Sequence, residues 1–118
     1  MSGSTSYHAG LAAEDSVARD YAGRGYDVVR RRWRGRGGEV DLIVREHDCV
    51  VFVEVKKSRS FAQAAHRVSR RQMDRLCNAA CDFLGGEPTG QLTPMRFDVA
   101  LVNGTGQVAI IENAFMAA

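Results

Sequence analysis

Lysine is nearly absent from this chain: of sixteen basic residues, all but Lys56 and Lys57 are arginine. Cysteine is scarce and odd in number, with three in total. Cys77 and Cys81 lie four apart in a helical pattern, with no fourth ligand at zinc-site spacing. A disulfide scaffold and a structural zinc site are therefore excluded, and buried, reduced thiols are expected. Long apolar runs are missing too. The longest uninterrupted one is Cys49 to Val53, far short of the roughly 20 residues a membrane-crossing helix needs. The first ten residues carry neither the basic start nor the apolar stretch of a secretory signal, so a cytoplasmic protein with no membrane partner is expected. No repeat, low-complexity tract or linker divides the chain, which predicts one domain over residues 1–118.

What is present is an ordinary globular composition. The 118 residues are 45% hydrophobic and 25% charged, which excludes disordered and collagen-like classes. A core of this size supports a sheet with helices packed on it. The formal net charge of +2 conceals two basic segments. Arg19 to Arg36 holds seven Arg against two Asp, and Lys56 to Arg75 holds seven cations against Asp74 alone. Arginine grips phosphate through a planar fork that an ammonium lacks, so a polyanion is the first partner to consider. The alternative is a pair of solvated faces that happen to be Arg-rich.

Leu11, Glu14, Val17, Ala18 and Tyr21 recur at three- and four-residue steps, predicting a helix from about Ala9 to Ala22 that Gly23 and Gly25 stop. Tyr26 to Trp33 reads as a strand that turns basic, followed by the flexible turn Gly35 to Gly38. Two strands follow, Glu39 to Glu46 and Cys49 to Lys57. A second amphipathic helix runs from about Ser69 to Leu84, with Ser69 as its cap. Met95 to Val102 and Gln107 to Glu112 read as two more strands. The order α-β-β-β-α-β-β implies an α/β fold, a mixed five-stranded sheet flanked by helices.

The parity of the second and third strands is the most informative feature. One face collects Val40, Leu42, Val44, Val51, Val53 and Val55, an aliphatic surface that must lie under a helix. The other collects Glu39, Asp41, Ile43 and Arg45 with Val50, Phe52, Glu54 and Lys56. If His47-Asp48 is a two-residue hairpin turn, Asp41 stands opposite Glu54 and Glu39 opposite Lys56. Facing carboxylates on a partly apolar surface repel, and a divalent cation between them resolves the conflict. Hard oxygen ligands suit Mg²⁺ or Mn²⁺, held by Asp41, Glu54 and the backbone carbonyl of Val55. Lys56 points to the same side and could orient a nucleophilic water or offset charge on a phosphodiester. Read on periodicity alone, Glu54 and Lys56 are equally a salt-bridge ladder on a half-exposed strand.

Gly38-Glu39-Val40-Asp41-Leu42-Ile43 followed by Val51-Phe52-Val53-Glu54-Val55-Lys56 resembles the signature of the PD-(D/E)XK nucleases. It most resembles their small bacterial YraN-like branch, related to archaeal Holliday-junction resolvases. The likeness extends to Gly10 to Glu14, Gly25-Tyr26, Arg32-Trp33-Arg34 and Arg96-Phe97-Asp98-Val99. It implies a restriction-endonuclease-like fold with Asp41, Glu54 and Lys56 as the catalytic core and Glu39 as an outer or second-metal group. Glu14 matches the helical glutamate of resolvase-like members, which implies that it is a further catalytic residue and metal ligand beside Asp41 and Glu54. Its place on the apolar face of the first helix also points it inward, because a buried carboxylate without a partner is costly; the other reading is an acid stabilised by the helix dipole. The chain departs from the branch at Lys57, Ser58 and Arg59, where a small polar residue and then Arg usually follow the lysine.

The leading expectation is a metal-dependent DNA endonuclease, selective by analogy for branched or junction-like DNA and working as a homodimer. Arg30, Arg31, Arg32, Arg34 and Arg36 on one side, and Lys57, Arg59, Arg67, Arg70 and Arg71 on the other, would hold phosphates with little base readout. Gln72 opens the second helix and could touch DNA or metal, or simply be polar surface. Asp98 is expected to be structural or to lie behind the site. The competing expectation is a non-catalytic nucleic-acid-binding or interaction module in DNA repair or uptake.

Overall fold

The computed structural model describes residues 3–114, with side chains from Gly10 onward. The elements are α1 (Gly3–Gly23), β1 (Asp27–Arg34), β2 (Glu39–Glu46), β3 (Cys49–Lys57), α2 (Phe61–His66), α3 (Arg70–Leu84), a 3-10 turn (Gly90–Leu92), β4 (Met95–Val102) and β5 (Val108–Ile111). The five strands form one sheet in the order β1-β2-β3-β4-β5. β3 and β4 run parallel and the other pairs antiparallel. The parallel pair requires a crossover, which α2 and α3 supply. This is the expected mixed sheet flanked by helices, consistent with a restriction-endonuclease-like fold. No described helix is long and apolar enough to cross a membrane.

The β2–β3 hairpin turns on His47 and Asp48, with His47 at φ 53° and Glu46 paired to Cys49. A positive φ at the first of two turn residues matches the twist of the flanking strands. From there the ladder runs to Leu42 opposite Val53, the register expected from sequence. On one face Leu42, Val44, Val51 and Val53 meet Ala13, Val17 and Tyr21 of α1.

The opposite face, expected to mix apolar and charged groups, is also covered. Ile43, Val50 and Phe52 are buried under Leu76, Ala79, Ala80 and Leu84 of α3. Polar residues are confined to the strand ends because α3 is amphipathic enough to close the middle of the sheet. Val40 is a correction: it joins the α3-side cluster rather than lying with Leu42 and Val44. The paired ladder ends at Leu42, and past it the simple alternation no longer holds.

Three local expectations shift. α1 begins at Gly3, ahead of the expected Ala9, and α2 occupies what read as loop, its N-terminus capped by the Ser60 side chain. The cysteines are less buried than expected: Cys49 and Cys77 are half-buried and Cys81 exposed. The apolar stripe of α3 is Leu76, Ala79, Ala80 and Leu84, which leaves both helical cysteines on its flank.

Candidate active site

Beyond Leu42 and Val53, β2 and β3 cease to pair, and the Asp41 carboxylate fills the opening. Its Oδ2 accepts the N–H of Val55 at 2.8 Å, where a backbone carbonyl would otherwise stand. The carbonyl of Val55 projects from the same edge, since a strand residue's N–H and C=O point the same way. Burial first, then the neighbouring Asp41 carboxyl, push the Glu54 carboxyl up to about 9, with Glu39 adding to the effect and Lys56 opposing it.

Asp41, Glu54, Val55 and Lys56 line one cleft of about 700 Å³, together with Gly10, Ala13 and Glu14 from α1 and Lys57, Arg67 and Gln72 from the α3 side. Glu14 is 7% exposed. Its carboxylate accepts from Arg32 Nε at 2.8 Å, and burial nonetheless holds its pKa above the ordinary glutamate value, with Asp41 contributing. So Glu14 faces the site, as the helical periodicity required, yet its nearest charge is an arginine. Arg32 adopts φ 50°, a conformation costly for a residue with a Cβ, directly opposite the gap in β2.

Among the described residues, no group of three or more His, Cys, Asp or Glu is placed to hold a metal ion. Glu14 is thus not gathered with Asp41 and Glu54 into a three-acid cage. What remains is a pair of carboxylates and one carbonyl, all hard oxygens. That set fits Mg²⁺ or Mn²⁺, which are commonly held by one or two carboxylates and complete their shell with waters and substrate phosphate.

The arginines expected to grip phosphate are not equivalent. Arg31 is paired with Asp15, Arg32 with Glu14 and Arg34 with Glu39 at 3.2 Å. Arg30 bonds the carbonyl of its neighbour Val29 at 2.9 Å. The backbone N–H of Arg36 is held by Asp82 at 2.6 Å. Arg59, Arg70 and Arg71 are exposed, and Arg67 donates to the Lys57 carbonyl at 3.0 Å. Glu39, expected opposite Lys56, instead pairs across β1 with Arg34. Gln72 proves to be a cap: it and Ser69 form a reciprocal capping box, while its side chain also borders the cleft. Arg75, which ends the second basic segment read from the sequence, borders a neighbouring hollow beside Glu54.

The chain matches the model of a family described as "Uncharacterised protein family UPF0102" over residues 13–102. A UPF0102 protein of Ruegeria pomeroyi is 66% identical over 113 residues, covering 96% of this chain and 92% of that protein. The chain belongs to the UPF0102 family. Another UPF0102 protein, from Cereibacter sphaeroides, is 63% identical over 117 residues, spanning 99% of this chain and all of that one. One from Dinoroseobacter shibae is 49% identical over 107 residues, 91% of this chain and 80% of its own. These names carry no activity, so the function of this UPF0102 chain must be argued from its site.

Proposed function

We propose that this UPF0102 protein is a metal-dependent endonuclease that hydrolyses DNA phosphodiesters, with branched or junction-like DNA as its substrate. The observation that carries the reading is the convergence of Asp41, Glu54 and Lys56 on one cleft, where Asp41 holds the Val55 N–H and the Glu54 carboxyl is pushed up by burial and by Asp41. A fold does not retain such a conflict for stability. The resemblance to the PD-(D/E)XK signature points to the same three residues.

Asp41, Glu54 and the Val55 carbonyl would hold Mg²⁺ or Mn²⁺, which when bound relieves the carboxylate repulsion and supplies an acidified water and charge stabilisation at phosphorus. Lys56 would hold a scissile phosphate oxygen and offset the negative charge that grows there. Glu14 would keep the Arg32 guanidinium at the cleft edge, where it adds positive field. The surrounding Arg and Lys residues give affinity for backbone with little base readout. Cutting paired strands of a junction needs two sites in fixed relation, so a homodimer belongs to this proposal, as does a cytoplasmic location.

The test is incubation of the purified protein with end-labelled linear, flap and four-way DNA in Mg²⁺, Mn²⁺ or EDTA. Cleavage that needs the cation and vanishes with Asp41→Asn, Glu54→Gln or Lys56→Ala supports the reading. Cleavage that persists unchanged in those variants overturns the site, and salt-sensitive binding without cleavage transfers the case to a non-catalytic binding module.

A further inference from the structure

A second hollow, of about 470 Å³, reaches Glu54 from the other side. Its wall is the turn Gly35–Gly38 with Arg36 and Arg75, and it shares Glu54 and Gln72 with the cleft already described. The capping box fixes Gln72 in the first turn of α3. That turn is therefore a ridge between two basins, with Glu54 where they meet.

Both basins carry cations: Arg36 and Arg75 in one, Lys57 and Arg67 in the other. The glycine turn packs closely against α3 and so fixes the wall of the hollow. A Cβ on Gly37 would come within 2.4 Å of Asn78 Cβ, so the turn sits hard against α3, and Asp82 pins it through the Arg36 N–H at 2.6 Å. Each basin is the size that holds a single small ligand. For a polynucleotide that is a nucleotide or two of one strand.

We infer that the cut DNA strand crosses the first turn of α3, Arg36 and Arg75 holding its phosphates on one side of the cut and Lys57 and Arg67 those on the other. This rests on the nuclease reading and assigns the backbone contacts on each side of the cut.

The experiment is binding in EDTA, by fluorescence anisotropy, to a flap DNA whose branch point defines the register and in which single phosphates are replaced by neutral methylphosphonates. Wild-type affinity should fall for replacements on both sides of the branch. Arg36→Gln with Arg75→Gln should erase that sensitivity on one side only, and Lys57→Gln with Arg67→Gln on the other. Each pair should lower the salt slope by about 1.4, roughly 0.7 for each single-strand contact. Arg19→Gln, exposed and outside both basins, should preserve both sides, and the single variants Arg75→Gln and Lys57→Gln give the same sided pattern at half strength should a double variant fold poorly. Erasure of the same side by both pairs, or no effect of either pair, overturns the inference alone. No binding of wild-type protein to any DNA overturns the nuclease reading with it.

Discussion

Asp98 on β4 and the Asp41–Glu54 pair on β2 and β3 belong to the same sheet and meet opposite treatment. Asp98 is fully buried. It accepts from Tyr21 Oη at 2.7 Å, Arg96 Nε at 2.9 Å, Arg96 Nη2 at 3.1 Å and the N–H of Asn113 at 3.0 Å. Arg96 also donates to Tyr26 Oη at 2.7 Å and lies 5.5 Å from the centre of that ring. Burial, reinforced by the charge of Asp98, holds the Tyr21 phenol far above its usual range, so it stays a donor. The network ties α1, the start of β1 and the end of the described chain to β4. At Asp41 and Glu54 the described contacts are one backbone N–H on Asp41 and the opposing charge of Lys56 near Glu54. A carboxylate that serves the fold is given every donor it can use, whereas a carboxylate pair with few donors is a candidate for function, and under the proposed reading for a cation.

The contrast can be broken by substitution. Asp98→Ala strands a buried guanidinium and a phenol, and should cost about 3–5 kcal/mol in urea unfolding, by the usual penalty for removing one partner of a buried ion pair. A loss under 1 kcal/mol would show that the network is not holding the fold. Asp41→Asn is the mirror image. The amide oxygen can still accept the Val55 N–H, so stability should stay within about 1 kcal/mol of wild type, while DNA cleavage should fall by about 10²–10³-fold. A large stability loss there would make Asp41 a structural residue like Asp98.

Acidity sharpens the comparison. Glu54 binds its proton more tightly in the folded state than in the unfolded one, so its contribution to stability is full below about pH 4.5 and drains away as pH rises toward about 9. Urea midpoints should decline across that window, and Glu54→Gln should flatten the decline. A profile unchanged by Glu54→Gln would place the titration elsewhere. The smallest effect is expected from the cation. Millimolar Mn²⁺ should raise the melting midpoint by a few degrees, more at pH 8 than at pH 6 because the pair must shed its proton to bind, and Asp41→Asn should abolish the rise. A rise that Asp41→Asn leaves intact would move the cation to another site.

Much of the scaffold was legible because its signals are local. Alternation located β2 and β3, the two-residue turn set their register, and Ser69 with Gln72 announced the start of α3. α2 was missed because a six-residue helix offers too few turns for a periodicity to emerge. Val40 was misplaced because period-two reasoning assumes continuous pairing, and pairing stops where the site opens. The cleft residues Asp41, Glu54 and Lys56 could be found from spacing, whereas the partner of Glu14 could not: Arg32 reaches it only because β1 folds back against α1 with an unusual φ at that residue.

The sequence by itself determined which side chains share a strand, a face and a turn, because those relations depend on residues a few positions apart. Only the tertiary structure decided what each charge would meet: Asp98 gathers Tyr21 across 77 positions, while Asp41 and Glu54 share one cleft with Lys56. The strength and sign of an ionic interaction depend on distance and burial, and both are set when the sheet closes and the helices cover it.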